Sequence, residues 1–383
     1  MLMPQSAHQT KRLDGTLRMN AIRFDPLLKR IRWGGTRLGT TLGKRLGPET
    51  DYAESWEIAD HGEDQSIVNT SCFAGSTLQE LLRDSNKAIL GRHAGRDQFP
   101  LLIKFLDASD RLSVQVHPND AQARTFDPTE NGKTEAWVII HAEPGSSVFA
   151  GLKNGVTAET MRAAIAAGNL EDCLHSFEVS AGDCIFIPAG TVHAIGEGIL
   201  MAEVQQSSDM TFRLYDWDRV GADGQPRQLH IERAIACTNF ELGPVNCQVP
   251  QPIEHGHELA SCEYFHIRRY SGSTQVPIPD DDRFHVLMSV GAEASVTVGP
   301  EFEQLAFGQT LFLPAEHEAA TINLAEDSTV RHARLAMSAV GPTPLRCPEG
   351  DEGSLHVQAS TPSVVVLRQR HHPGWSLRLA SGE

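Results

Sequence analysis

Residues 182–195 read GDCIFIPAGTVHAI, and residues 308–321 read GQTLFLPAEHEAAT. Both stretches have the form Gly, five residues, Pro, Ala, in which a short apolar run leads into a turn. Eleven residues after the glycine, the first copy has His193 and the second has Ala319. We interpret them as copies of one strand–turn unit, with a polar function kept only in the first. Chance similarity between two such segments is the alternative.

Short apolar runs of this kind make up most of the chain. From 99 to 150, runs such as PLLIKFLDA and TEAWVIIHA are separated by Asp, Pro and Gly, which is typical of an antiparallel sandwich or barrel. Strand-like runs return between about 250 and 340, beyond the Pro-rich stretch PVNCQVPQPIEHG. The pattern therefore predicts a mainly β protein with two β domains.

Two segments have a helical pattern instead. TLQELLRDSNKAIL places leucines at helical spacing, with Ser76 or Thr77 as its N-cap. VTAETMRAAIAAGNLEDCLHSF is the clearest helix, with Thr157 as N-cap and Gly168 breaking the pattern near its end.

Charge excludes some partners. The chain of 383 residues has 33 Lys and Arg against 49 Asp and Glu, a net charge of −16, which argues against nucleic-acid or anionic-membrane binding. The stretch from Lys11 to Arg45 is the exception, with ten basic residues and only Asp14 and Asp25 as acids. We expect a solvated N-terminal arm there, with an anion-binding edge as the alternative.

Cysteine usage and hydropathy indicate a cytoplasmic protein. The seven cysteines form no CxxC pair, which suits a reducing compartment better than a disulfide framework. No run approaches 18 apolar residues, and the N-terminus lacks the apolar core of a signal peptide.

Residues 112–120, LSVQVHPND, have polar residues where a buried strand is expected to be apolar. Gln115 and His117 are two apart, so their side chains lie on the same face of the strand. The first quoted stretch adds a pattern, G-x5-P-x-G-x2-H, that resembles the second signature of the cupin family and ends at His193. In cupins a turn directs this histidine into a barrel, and Glu135 on the next strand would join it there.

Two imidazoles, a carboxylate and an amide oxygen are a plausible set of ligands for a divalent first-row metal. The mixture suits Zn²⁺, and the spacing does not exclude Mn, Fe or Co. A single histidine on a strand is more often an ordinary interior residue, so the prediction depends on all four residues together.

The cupin resemblance implies two cupin-type jelly-roll β-barrel domains, a bicupin, with a few helices inserted around the catalytic barrel. We predict a catalytic, metal-binding domain over residues 1–249, including the arm and helices. A degenerate cupin-like β domain follows over 250–340, without a metal. The tail, 341–383, contains one predicted strand, SVVVLRQR.

Longer motifs carry a narrower resemblance. They are LSVQVHPND, GKTEAWVII, GDCIFIPAGTVHAIGEG and LMAEVQQSSDMTFRLYDWDR, with RIRWGGTRLG and ESWEIADH nearer the start. Together they resemble the type I mannose-6-phosphate isomerases, in particular the shorter bacterial form. The resemblance runs from about Arg30 to Arg233, with a weaker continuation to residue 340.

This resemblance implies an aldose–ketose isomerase that interconverts mannose 6-phosphate and fructose 6-phosphate with one Zn²⁺ per chain. It assigns the metal ligands to Gln115, His117, Glu135 and His193. It further assigns catalysis to Arg213 and to Lys133, the proposed proton-transfer base. Ser113 and Arg219 match phosphate-contacting positions, and the same cleft is lined by Glu203 and Asp209.

The chemistry suits these residue types. Moving a carbonyl from C1 to C2 requires a base near both carbons and a cation for the developing oxyanion. An arginine keeps its proton, so Arg213 would act electrostatically, and the planar fork of Arg219 suits phosphate oxygens. Surface ion pairs with Asp216 and Asp218 are the alternative for the two arginines.

One position departs from the family pattern. Longer members have a histidine immediately before the lysine of GKTE, and this chain has Gly132. If that histidine opens the sugar ring, another group or spontaneous opening must replace it here.

Two other classes of protein stay open at this point. One is a non-catalytic cupin that binds a sugar phosphate or senses a metal, and the other is an Fe(II) cupin oxygenase. The joint presence of Lys133 and Arg213 favours the isomerase. We expect a small-molecule sugar phosphate as partner, no nucleic acid or membrane, and a monomer or weak homo-oligomer.

Overall fold

The computed structural model describes residues 9–11, 17–220, 224–272, 274–291, 293–324 and 334–339. The predicted tail strand SVVVLRQR lies outside them. Strands hold 41% of the residues and helices 16%, so the fold is mainly β, as predicted.

The strands of the described residues are, in chain order, β1 Gln9–Lys11, β2 Leu17–Met19, β3 Phe24–Asp25, β4 Leu27–Gly35, β5 Tyr52–Ile58, β6 Asp60–His61, β7 Asp64–Gln65, β8 Ile67–Val68, β9 Leu101–Ala108, β10 Val114–Val116, β11 Glu135–Ala142, β12 Ser147–Leu152, β13 Leu174–Glu178, β14 Cys184–Ile187, β15 His193–Ile195, β16 Ile199–Gln206, β17 Phe212–Tyr215, β18 Gln251–Ile253, β19 Gly256–Ser261, β20 Phe265–Tyr270, β21 Thr274–Pro277, β22 His285–Ser289, β23 Ala294–Val298, β24 Glu301–Leu305, β25 Thr310–Leu313, β26 Ala320–Leu324 and β27 Arg334–Ala339. The helices are α1 Arg37–Thr40, α2 Leu78–Leu90, α3 Asp120–Phe126, α4 Ala158–Ala167 and α5 Ile231–Cys237, with 3₁₀ turns at Gly91–His93 and Leu170–Cys173.

Two pairs of antiparallel sheets share one strand order. In the first half, a six-stranded sheet runs β14-β11-β16-β9-β5-β4 and a five-stranded sheet runs β13-β12-β15-β10-β17. In the second half, β25-β22-β27-β20 and β24-β23-β26-β21 repeat the order of the first four strands of each. The two stretches quoted at the outset begin at Gly182 (φ 95°) and Gly308 (φ 78°) and lead into the equivalent strands β14 and β25. This agrees with the interpretation of one repeated strand–turn unit.

Apolar side chains fill the space between the sheets. Trp137 and Met201 of the six-stranded sheet belong to the same buried cluster as Val148 and Ile195 of the five-stranded sheet. A large side chain that is fully buried in this way contributes about 1.5–3 kcal/mol relative to exposure. Because side chains alternate along each strand, the residues between these core positions lie on the opposite face of the sheet.

A second apolar cluster joins the two halves. The rings of Phe99 and Phe284 lie 4.7 Å apart between centroids, and Phe312 lies 5.8 Å from Phe99. These three side chains are fully buried. The second half is thus packed directly against the segment that leads into β9 of the six-stranded sheet.

Both predicted helices are confirmed. The side chain of Thr77 accepts a hydrogen bond from Glu80 N–H at the start of α2, and Thr157 caps α4 in the same way. Gly168 ends α4 with a left-handed φ of 73°. In the described part of the chain, every helix is too short or too polar to cross a membrane.

The prediction of a solvated N-terminal arm is wrong for the described residues from Met19 onward. Ile22 exchanges backbone hydrogen bonds with Phe312, at 2.8 and 2.9 Å, and is buried. Leu38 and Leu42 are also buried, and β4 pairs with β5 in the six-stranded sheet. The basic residues lie between apolar ones that pack on the body of the protein, so a charge count alone misjudges the segment.

Candidate metal centre and active site

Strand pairing brings the polar residues of LSVQVHPND to His193. In the five-stranded sheet, β10 lies between β15 and β17, so that Gln115 is opposite His193 on one side and Arg213 on the other. Glu135 is the first residue of β11 in the facing sheet. Both sheets therefore contribute to one site.

Three of the four predicted metal ligands converge. One ligand atom each of His117, Glu135 and His193 lies within 4.8 Å of the others, and all three residues are buried. His117 Nε2 is 3.6 Å from Glu135 Oε2, and His193 Nε2 is 3.4 Å from Glu135 Oε1. Within the described residues this is the one such group of His, Cys, Asp or Glu.

Backbone carbonyls set the tautomers of both histidines. His117 Nδ1 lies 2.9 Å from the carbonyl of Met210, and His193 Nδ1 lies 2.9 Å from that of Thr191. Because a carbonyl only accepts, each Nδ1 carries the proton and each Nε2 presents a lone pair. This is the orientation usual for histidines that bind metal through Nε2.

Burial keeps both imidazoles neutral. It lowers the pKa of His117 well below its usual value, with the Lys133 charge adding to the effect, and it also lowers the pKa of His193. The Nε2 lone pairs of His117 and His193 then face the carboxylate of Glu135. All of these groups are acceptors, and a cation between them would stabilise the arrangement. The residues present thus fit a divalent metal.

Glu135 is held as a carboxylate. Its Oε1 accepts a hydrogen bond from Trp137 Nε1 at 3.1 Å, and Oε2 lies 2.9 Å from Lys133 Nζ. Burial alone would raise the pKa of Glu135, but the charge and hydrogen bond of Lys133, together with His117 and His193, lower it.

The fourth predicted ligand, Gln115, lies beside the group. Its Nε2 is 3.4 Å from His193 Nε2, and its Oε1 accepts a hydrogen bond from Ser113 at 3.3 Å. Rotating the side-chain amide of Gln115 by half a revolution exchanges Oε1 and Nε2 and directs the oxygen toward His193.

Lys133 lies at the centre of the buried charges. Its Nζ is 3.2 Å from His117 Nε2 and 3.8 Å from Glu203 Oε1. Glu203 is also 3.1 Å from Lys104 Nζ, which in turn is 3.4 Å from Glu54. Lys133 and Glu203 were predicted site residues, and the structure brings them together with the histidines and Glu135.

Lys104 and Glu54 were missed by sequence reasoning. Burial alone would lower the pKa of Lys104, but Glu203 and Glu54 outweigh it and raise the pKa. Burial raises the pKa of Glu203, with Lys104 opposing. The available signal was a lysine in the middle of the apolar strand LLIKFLDA, because an unpaired lysine is almost never fully buried.

Arg213 extends the site along β10. Its Nε donates to Ser113 Oγ at 3.2 Å, and its Nη1 donates to the carbonyl of Gln228 at 3.1 Å. Since Ser113 also donates to Gln115, these three predicted residues form one hydrogen-bonded row.

Arg219 is engaged in ion pairs. It lies 2.6 Å from Asp216 and 3.0 Å from Asp110, and Arg227 binds the same Asp216 at 2.7 Å. The ion pair with Asp216 is therefore present for Arg219, and its phosphate contact stays a prediction. The remaining predicted residue, Asp209, is exposed and influences Lys104 only through its charge.

Gly132 leaves no room for a side chain. A Cβ atom there would lie 2.4 Å from the backbone nitrogen of Asp120 and 2.5 Å from the carbonyl carbon of Asn119. The chain thus packs against the start of α3 where longer family members have a histidine, and that histidine would not fit here without a backbone shift.

Comparison with known proteins gives consistent matches. The model of the type I phosphomannose isomerase catalytic domain matches residues 22–131. Mannose-6-phosphate isomerase ManA of Bacillus subtilis is 35% identical over 300 residues, 76% of this chain and 92% of the relative. The mannose-6-phosphate isomerase of Streptococcus mutans is 36% identical over 285 residues, 74% of this chain and 88% of the relative.

Structural comparison agrees with the sequence matches. A crystal structure of the mannose 6-phosphate isomerase from Bacillus subtilis superposes with a TM-score of 0.75 at 28% identity, and it covers 84% of this chain and 99% of that chain. Two mannose-6-phosphate isomerases are thus more than 30% identical to this chain over about three quarters of its length, and a solved isomerase has the same fold. The chain belongs to the type I phosphomannose isomerases.

Proposed function

We propose that this protein is a metal-dependent aldose–ketose isomerase that interconverts mannose 6-phosphate and fructose 6-phosphate. One observation carries the proposal: His117, Glu135 and His193 form a buried metal-type group, and Lys133 Nζ lies 3.2 Å from His117 Nε2 and 2.9 Å from Glu135 Oε2. Family membership and the names of the two relatives identify the substrate class.

Zn²⁺ is the metal that these donors suit best, with one ion per chain. His117, Glu135 and His193 would hold it, with Gln115 as a fourth ligand after its amide rotates. Nitrogen and oxygen donors of this kind are common in zinc sites that keep a position open for substrate. When bound, the ion would act as a Lewis acid that polarises a substrate oxygen.

The chain's own residues move the proton. In its neutral amine form, Lys133 takes the proton from C2 of the open-chain aldose, the electron pair forms the C1–C2 double bond of an enediolate, and the resulting ammonium returns a proton to C1. A hydroxyl proton moves from O2 to O1 in the same overall exchange, so nothing is oxidised or reduced by an outside reactant. Arg213 keeps its proton and stabilises the negative charge that develops on oxygen.

The phosphate binds at the Ser113 end of the site, where Arg219 contributes its charge. Burial, together with the charges of Arg227 and Arg219, lowers the pKa of Arg213, which supports a close group of guanidinium ions. A phosphate dianion would relieve that repulsion. Glu203 and Asp209 line the same cleft.

Each half of the protein is a cupin-type jelly-roll barrel, the first over residues 1–249 and the second over 250–340, with a tail at 341–383. What supports this is the strand order that the two pairs of sheets share. The second barrel binds no metal and serves packing and the shape of the cleft.

The enzyme works in the cytoplasm as a monomer or weak homo-oligomer. What supports this location is that five described cysteines form no disulfide, namely Cys72, Cys173, Cys184, Cys237 and Cys247.

The decisive experiment measures mannose 6-phosphate isomerisation and metal content on one sample. We expect about one equivalent of metal per chain, loss of activity after chelation, and recovery with Zn²⁺. Anaerobic assay with Zn²⁺ separates this enzyme from an Fe(II) oxygenase. A metal-loaded protein without isomerase activity would contradict the proposal.

A further inference from the structure

The loop that carries Lys133 is held by three consecutive backbone N–H groups. Their acceptors are Asp120 Oδ1 at 2.8 Å for Gly132, the Pro118 carbonyl at 3.0 Å for Lys133, and Gln206 Oε1 at 2.9 Å for Thr134. Pro118, which provides one acceptor, follows His117 in the sequence, and Thr134, which provides the last N–H, precedes Glu135. The loop is therefore fixed at each of the three peptides that precede Glu135.

Asp120 and Gln206 act as one unit. Gln206 donates through Nε2 to Asp120 Oδ1 at 2.9 Å while its Oε1 accepts from Thr134. Gly132 makes the arrangement possible, since any side chain at that position would collide with the start of α3. Together with the Pro118 carbonyl, the Asp120 carboxylate and the Gln206 amide therefore hold the backbone on both sides of Lys133.

The second half of the protein completes this unit. Tyr264, the residue before β20, donates its hydroxyl to Asp120 Oδ2 at 3.0 Å. The contact joins residues that are 144 positions apart in the chain. Both oxygens of Asp120 are then occupied, and hydrogen bonds to a charged acceptor are among the stronger ones in proteins.

We propose that Tyr264 is a positioning residue for the isomerisation, acting through Asp120 and Gln206 to hold Lys133 at the reacting carbons. The inference rests on the proposed function of Lys133. It assigns the second half a role in catalysis besides packing. Tyr264 itself touches neither the predicted metal ligands nor Lys133 in the described contacts.

Tyr264→Phe tests the inference because it removes one hydroxyl and keeps the ring. We expect kcat to fall about tenfold with KM within about twofold, as for a loss of orientation at the reacting atoms. Metal content should match that of the unaltered protein. Tyr270→Phe is the matched control, since Tyr270 ends β20, the strand that follows Tyr264, lies in a separate apolar cluster and should leave kcat unchanged.

A double-mutant cycle shows whether Tyr264 acts through Asp120. In an Asp120→Ala background, Tyr264→Phe should have no further effect on kcat. An unchanged kcat in Tyr264→Phe, a rise in KM alone, or the same loss in both backgrounds would each overturn the inference.

Hydrogen exchange provides a test that does not depend on turnover. Peptides that cover residues 130–135 should exchange faster in Tyr264→Phe than in Tyr270→Phe, because the N–H groups of the loop lose part of their support. Equal exchange would contradict the inference. An unaltered protein that lacks isomerase activity would contradict the proposed function instead, and the exchange experiment would still decide the role of Tyr264.

Discussion

At the scale of single residues, the site depends on where protons are held. The carbonyls of Met210 and Thr191 accept hydrogen bonds from the Nδ1–H groups of His117 and His193, so both Nε2 atoms are available to a metal. Glu135 stays ionised between them, beside Lys133. Each of these groups has a role that one substitution can test.

His193→Ala should abolish metal binding and turnover while the protein stays folded. The change removes one of three ligand residues and leaves a cavity about the size of the imidazole ring. Metal analysis and the isomerase assay check this, with circular dichroism as the control for folding. Full activity in the variant would remove His193 from the site.

Lys133→Ala should lower kcat by at least about a hundredfold, the usual contribution of a positioned acid or base. KM should change much less, because proton transfer acts mainly in the transition state. Lys153→Ala is a suitable control, since its ammonium binds the carbonyl of Asp172 on the surface. A rise in KM alone would make Lys133 a substrate-binding residue.

Arg219→Ala should raise KM for mannose 6-phosphate by about tenfold or more, because a charged hydrogen bond to phosphate contributes about 1.5–3 kcal/mol. Arg227 stays paired with Asp216 in this variant, which limits the structural damage. Arg162→Ala, at an exposed ion pair with Glu232, is the control. If inorganic phosphate inhibited variant and unaltered protein equally, Arg219 would not bind the phosphate.

At the scale of elements, Gly182 and Gly308 lie in the turns that precede β14 and β25. Gly308 has a φ of 78°, and a Cβ atom there would lie 2.3 Å from the carbonyl oxygen of Leu42. The turn before β25 thus packs against the N-terminal segment. Both the backbone conformation and the close contact require glycine.

Gly308→Ala should therefore destabilise the protein by more than about 2 kcal/mol, from strain at a positive φ plus displacement of Leu42. Gly155→Ala is the matched control. It has a φ of 84° with open space around the Cβ position, so only the conformational cost applies. Denaturant unfolding measures the free energy of unfolding of both variants. Equal losses of stability would show that Leu42 moves away from the new Cβ atom at no cost in free energy.

At the scale of the whole molecule, metal binding and folding stabilise one another. The three residues of the metal-type group come from β11, β15 and the residue after β10, which meet only when both sheets are packed. An ion that binds the folded state alone adds stability by mass action.

Chelation should therefore lower Tm, and readdition of Zn²⁺ should restore it. A free metal concentration a thousandfold above Kd corresponds to about 4 kcal/mol of added stability. Thermal unfolding with and without chelator checks the expectation. His193→Ala should show no shift, and an equal shift in that variant would place the metal elsewhere.

The sequence by itself determined the features that depend on near neighbours. Strand alternation predicted Gln115 and His117 on one face, and both lie beside His193 in the structure. The caps at Thr77 and Thr157 marked where helices begin. The family motifs also identified His117, Glu135, His193 and Lys133, which the structure brings together. These features can be predicted because strand alternation and helix capping depend on residues only a few positions apart.

Only the tertiary structure decided which distant groups meet. Lys104 with Glu54, Arg219 with Asp110, and Tyr264 with Asp120 join segments between 50 and 144 residues apart. The burial of the basic N-terminal segment against the second half belongs to the same class. Such contacts form only when the sheets pack, because each depends on the shape and charge of the assembled surfaces. The periodicity of the local sequence does not indicate them.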